Sequence, residues 1–308
     1  MLTSAFTFCT RSRTIATTLI ERTSEEPKLR VGRRLRELAG HREVLVNLVR
    51  KELKVKYAAS VLGAVWSLLN PVVFLAVFTF VVYVTGNQMP HFPVYLLSGL
   101  LGWSLFSNSL SLGARSVVDN ASLVKKVYFP REILPLASIG VTLVDFVLQS
   151  GVLLLFLLVT GYHVGIHAVW MYPLSIVTLL VFTLAVTLWV AGLNVRYRDV
   201  QHLLNLGLLV WFWMTPIVYQ GALVQKFLTG RSDALWHAYL LNPLATIVFG
   251  FQRALYGVVS PGGQGVLPDV SLTWMAGMLL AVLTASLLLL GLTWRLFFHL
   301  SGDFAEEL

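Results

Sequence analysis

Six long apolar stretches limit what this 308-residue chain can become. A bilayer core about 30 Å thick takes roughly 20 largely apolar residues in a helix. Residues 61–85, 93–114, 133–160, 171–195, 203–220 and 272–298 meet that demand. Composition agrees, since hydrophobic residues make up 56% of the chain and charged ones 12%, where soluble domains carry about a quarter charged. A single globular core cannot hide that much apolar surface, because part of it stays exposed on a globule of this size. Lipid can take the excess. The expectation is an all-α membrane protein with six transmembrane helices.

The stretches differ in kind. The third, fourth and sixth are unambiguous, whereas the second carries Ser98, Ser104, Ser107, Asn108, Ser109 and Ser111. Hydroxyls and small side chains favour helix–helix contact or a wet cavity over lipid, which places this helix inside the bundle. The fifth is short and ends at Thr215-Pro216, where the missing amide hydrogen bends or stops a helix. Direction follows from the basic residues, which gather in cytoplasmic loops. Thirteen of the 23 Lys and Arg lie before residue 57, and most of the others fall in 115–132 and 196–202. Only Lys226, Arg231 and Arg253 belong to segments on the opposite side. The chain is therefore expected in the cytoplasmic membrane, multi-pass, with both termini cytoplasmic.

Two segments do not read as spans. In 31–57, Leu35, Leu38, Leu45, Leu48, Val49 and Leu53 recur mostly three or four apart among charged residues, the pattern of an amphipathic helix. Its basic character suits the inner membrane surface, and packing against another protein is the alternative. In 221–270 an apolar run is broken by Asn242-Pro243 and by Arg253, and an arginine at mid-membrane costs about 2.5–3.5 kcal/mol on insertion scales. This predicts a re-entrant or surface helical pair on the outer side between spans five and six. Residues 1–30 are polar and read as a flexible cytoplasmic tail, and 31–308 as one transmembrane domain.

Several chemistries are missing from the sequence. No Gly is followed by Lys, so the phosphate-cradling loop G-x-x-x-x-G-K-[S/T] is absent. Ser260-Pro261-Gly262-Gly263-Gln264 echoes an ATPase signature loop but reads as a turn. A lone cysteine, Cys9, excludes an intrachain disulfide, and seven scattered histidines show no H-E-x-x-H spacing. The excess of 23 basic over 15 acidic residues lacks the interleaved aromatics of a nucleic-acid reader. Asp145 is the one acidic residue well inside a span. Such a carboxylate is often functional, and bonding to Ser, Thr or Gln149 within the bundle is the other reading.

The strings between and beside the spans carry a resemblance. They are Lys56-Tyr57-Ala58-Ala59-Ser60-Val61-Leu62-Gly63 with Trp66-Ser67-Leu68-Leu69-Asn70-Pro71; Ser122-Leu123-Val124-Lys125-Lys126-Val127-Tyr128-Phe129-Pro130-Arg131-Glu132-Ile133-Leu134-Pro135; Leu193-Asn194-Val195-Arg196-Tyr197-Arg198-Asp199-Val200; Thr215-Pro216-Ile217-Val218-Tyr219; and Leu241-Asn242-Pro243-Leu244. Taken in order, they resemble the ABC-2 permeases that export bacterial surface polysaccharides such as O-antigen, teichoic acid and galactan. Ala58-Ala59 departs from the second basic residue that family often has there.

The resemblance implies a homodimer of six-span halves around a central pathway, with two ATP-binding cassette subunits beneath. It implies no cofactor in this chain, with ATP and Mg held by the partner subunits, and a lipid-linked polysaccharide as substrate. It assigns ATPase coupling to Asp119, Lys125, Lys126, Tyr128, Arg131, Glu132, Arg196, Tyr197, Arg198 and Asp199. Arg50, Lys51, Lys54, Lys56 and Tyr57 would face lipid where the substrate is taken up. Trp103, Phe106, Trp211, Trp213 and Tyr219 suit a pathway for sugar rings or an interfacial aromatic belt. Pro216, Asn242 and Pro243 would shape an outer gate. The competing classes are a secondary carrier or channel, which would need more embedded charge, and a glycosyltransferase, which would need an acidic metal-holding pair.

Overall fold

The computed structural model describes residues 31–58, 63, 65–86, 89–257, 265–302 and 304–307. The polar tail 1–30, Ala59 to Leu62 and Ser260 to Gln264 lie outside the described residues. Thirteen helices follow one another among the described residues: α1 (Val31–Gly40), α2 (Arg42–Ala58), α3 (Val65–Thr85), α4 (Phe92–Asp119), α5 (Ala121–Lys126), α6 (Ile133–Val159), α7 (Ala168–Arg196), α8 (Val200–Met214), α9 (Gly221–Thr229), α10 (Asp233–Leu240), α11 (Pro243–Leu255), α12 (Leu272–Leu300) and α13 (Phe304–Glu307). No strand occurs among them.

By length and composition, α3, α6, α7 and α12 can each cross a membrane, and α10 with α11 would make a fifth crossing if taken as one bent span. The remaining two expected spans differ for physical reasons. The 28 residues of α4 rise about 42 Å, but their serines and Asn108 lower the apolarity. The 15 residues of α8 rise only about 22 Å before Thr215-Pro216 ends them. Between α10 and α11 the axis turns by 87°. Asn242 accepts the Leu244 amide through its side chain at 3.2 Å, capping α11, and Pro243 occupies its first turn where no amide hydrogen is needed.

Packing sorts the helices into an inner and an outer set. α4, α7 and α11 form the centre, with Tyr95, Phe106, Leu179, Leu244, Ile247 and Phe251 fully buried. Small residues set the close approaches. A Cβ on Gly113 would fall 2.1 Å from Thr187 Cγ2, so α4 meets α7 at a position only glycine fits. By contrast α3 buries no residue, and exposed Val, Leu and Phe cover the outer faces of α3, α6, α8 and α12. That apolar sheath is what a bilayer would contact.

The expected surface helix 31–57 is two helices, α1 and α2, broken at His41. Their apolar face does not lie free. Leu38, Leu45, Leu48 and Val49 join a second core with Val117, Ile133, Leu134 and Phe297. Val49 reaches α6 at Gly140, where a Cβ would sit 2.8 Å from Val49 Cγ2. The amphipathic face is thus occupied by the protein's own bundle, while Leu35 is exposed.

Candidate functional site

A cavity of about 620 Å³ opens between α2, α3, α4 and α6. The polar residues of α4 explain it. Ser104, Asn108, Ser111 and Arg115 recur at helical spacing and share one face. The remaining hydroxyls are satisfied locally. Ser98 donates to the Tyr95 carbonyl at 2.8 Å, Ser116 to the Gly113 carbonyl at 2.7 Å, and Ser109 pairs with Thr142 at 2.6 Å. Opposite α4, the wall is Ser67 and Asn70 of α3 with Thr142 and Gln149 of α6. Hydroxyl and amide groups can donate and accept, so this wall can bond hydroxyl-rich molecules in many registers.

Asp145 lies on the same wall and is nearly buried, and its partners were not those expected. Lys56 Nζ sits 2.5 Å from Asp145 Oδ2, and the Tyr57 hydroxyl donates to Oδ1. Gln149, the anticipated partner, donates instead to the Ser67 carbonyl at 2.9 Å. Burial, then the hydrogen bond and charge of Asp145, raise Tyr57 above the usual phenol range, so it keeps the proton it donates. Lys56 and Tyr57, expected to face lipid, therefore fasten the end of α2 to the middle of α6. A lone carboxylate in an apolar helix demands a cation, but nothing local said which one. Arg50, Lys51 and Lys54 are exposed; Lys51 reaches Glu52 at 3.5 Å and Asn120 at 3.4 Å.

At the end of the bundle where α2 and α5 lie, the two basic loops converge, because α13 packs against both α5 and α7. Lys125, Lys126, Tyr128, Tyr197, Arg198 and Asp199 are exposed on this surface. Arg196 approaches Glu307 at 3.8 Å, and Asp119 approaches Arg115 at 3.6 Å. Arg131 is part-buried over the Phe304 ring at 5.8 Å; burial, with Arg34 nearby, lowers its pKa. Glu132 differs from its neighbours. It is 2% exposed and accepts from Arg34 at 2.9 and 2.7 Å and from Trp294 Nε1 at 3.2 Å. It has no surface to offer a partner.

The aromatic residues expected along a pathway mostly pack on one another. Phe106 is fully buried, stacked on Phe182 at 5.5 Å and edge-on to Trp211 at 5.2 Å. Trp103 lies 5.4 Å from Phe212. Trp211 donates to Asn242 Oδ1 at 2.8 Å. None of these side chains lines the cavity; only Trp213 is well exposed. Around Pro216 the backbone is held rather than loose. Its carbonyl accepts from Tyr95 at 3.2 Å and Gln252 at 2.9 Å, and Tyr95 also reaches the Tyr219 carbonyl at 2.7 Å. The exposed apolar residues of the segment between α8 and α11 lie on α9 and α10 and at Leu241. Among the described residues no three His, Cys, Asp or Glu side chains group to hold a metal.

Residues 43–252 match the family model for ABC-2 type transporters. The chain is 33% identical over 277 residues to the O-antigen export system permease protein RfbA of Myxococcus xanthus, covering 90% of this chain and 99% of that protein. It is 30% identical over 247 residues to the protein of the same name from Klebsiella pneumoniae, covering 80% and 90%. A second Klebsiella pneumoniae RfbA is 28% identical over 244 residues, covering 78% and 88%.

Proposed function

The chain belongs to the ABC-2 type transporter family, and we propose that it is the membrane permease subunit of an exporter that moves a lipid-linked polysaccharide of the O-antigen type. The observation that carries this reading is likeness to the Myxococcus xanthus permease along 99% of that protein's length. The geometry supports it from a second direction. A cavity whose wall includes Ser, Thr, Asn and Gln side chains beside charged and apolar ones suits sugar hydroxyls, whose many weak bonds let a polymer slide. The pathway side chains are then Ser104, Asn108, Ser111, Asn70 and Gln149, in place of the aromatic set.

In this proposal six helices cross the membrane: α3, α4, α6, α7, α8 and α12. The α10–α11 pair is re-entrant on the outer side, and both termini are cytoplasmic. The surface carrying Lys125, Lys126, Tyr128, Tyr197 and Arg198 receives an ATP-binding cassette subunit, which holds ATP and Mg. A second copy of the chain closes the cavity against α3, the helix that buries nothing within one copy. Transport then follows from displacement of helices that line the cavity when the bound ATPases change shape.

Purification in mild detergent should yield a particle well above twice 34.3 kDa, containing the ATPase. Depletion of the protein should leave a lipid-linked glycan accumulating on the cytoplasmic side. A transport-active monomer without an ATPase would overturn the reading.

A further inference from the structure

We infer that Glu132 is a positioning residue, a buried clamp that ties the loop before α6 to α1 and α12 and makes the ATPase's push on that loop move α6 and α1–α2 as one body. The inference rests on the reading of 125–131 as an ATPase contact. Glu132 immediately precedes α6, with helical φ −58° and ψ −22°. Its two carboxylate oxygens meet the Arg34 guanidinium in a fork, at 2.9 and 2.7 Å, and Oε1 also accepts from Trp294 at 3.2 Å. These partners lie 98 and 162 positions away in the chain. Arg34 is itself fixed by Glu37 at 2.8 Å and lies 5.2 Å from the Phe298 ring.

The second attachment makes the clamp mechanical. Lys56 of α2 grips Asp145 of α6 at 2.5 Å, thirteen residues beyond Glu132, or about 20 Å along the helix. Helices α1 and α2 are joined through His41, whose amide bonds back to Glu37 and Leu38. Two charged contacts about 20 Å apart along α6 therefore hold α1–α2 to it, one beside the loop and one at the cavity wall. A displacement of the loop reaches the cavity without being lost in a flexible turn. A bidentate fork also fixes orientation, which a single ammonium cannot do.

The test uses Arg34→Lys and Trp294→Phe, which retain charge and bulk, with Glu132→Gln and the swap Arg34→Glu with Glu132→Arg alongside. In a Cys9→Ser background, a spin label at Val127→Cys reports motion of the loop in the permease alone. The complex with its ATPase is then reconstituted in proteoliposomes, and polymer moved per ATP hydrolysed is measured. A clamp mobilises the label in Arg34→Lys and lowers polymer per ATP by about twofold or more, at unchanged complex yield. The charge swap restores part of the coupling lost in Glu132→Gln. A role confined to stability lowers the yield and leaves the ratio alone, which overturns the inference, as does a label that stays immobile. Mobilised label with unchanged polymer per ATP overturns it too. Failure of the native chain to bind any ATPase refutes the export reading instead, a separate outcome.

Discussion

Replacing Lys56 by Met should destabilise the protein more than replacing Asp145 by Asn, although both break the same pair. The reason is unequal burial. The Asp145 side chain is 6% exposed and that of Lys56 39%. Without Lys56 the carboxylate keeps, among the described residues, only the Tyr57 hydroxyl and stays inside a low-dielectric wall. Removing one partner of a fully buried charge pair costs about 2–5 kcal/mol, much of it the unpaired charge left behind. Partial exposure of the lysine puts this case at the lower end, about 2 kcal/mol. Without Asp145 the freed ammonium can turn to water, so Asp145→Asn should cost about 1 kcal/mol or less. The double variant removes the stranded charge and should cost only about 1 kcal/mol, giving a coupling energy of about 2 kcal/mol. The assay is thermal unfolding of purified protein in detergent. At about 2 °C per kcal/mol for a chain of this size, Lys56→Met should melt about 4 °C lower. Equal losses for the two single variants, or a double variant equal to their sum, would refute the argument from burial.

Reversing Lys125, Lys126 and Arg198 to Glu removes exposed cations that form no ion pair among the described residues, so insertion and melting should be unchanged. Binding of the ATPase, measured by co-purification across salt concentrations, should weaken by about tenfold or more; unchanged binding would move the docking surface elsewhere. Gly113→Ala sets a methyl 2.1 Å from Thr187 Cγ2, and overpacking of about 1–3 kcal/mol should outweigh the gain of about 1 kcal/mol in helix propensity. Adding Thr187→Ser removes the clashing methyl and should raise the melting temperature again, which a merely local effect at Gly113 would not produce.

The readings that came from length and period are those with local causes. Apolar runs of span length marked α3, α6, α7 and α12, because lipid rewards continuous apolarity whatever the neighbours are. Thr215-Pro216 and Asn242-Pro243 marked the ends of α8 and α10 through the missing amide hydrogen. The aromatic residues were open to more than one reading for the opposite reason. Trp103, Phe106 and Trp211 can stack on sugar or on one another, and large rings bury the most area when they meet. Which of these happens depends on how α4, α7 and α8 cross.

The sequence by itself determined a helical membrane protein of the ABC-2 family, the four longest apolar helices, and a polar helix destined for the interior. Tertiary structure alone decided which face of α4 the cavity claims, that Lys56 and Tyr57 hold Asp145, and that Glu132 is sealed inside while Lys125 and Lys126 stay outside. Spacing along one helix places side chains on a shared face, and that information is local. The partner of a charge 89 residues away follows only from where two helices touch. At α2 and α6 that contact is set by Gly140, which lets Val49 approach closely enough for the pair beyond it to close.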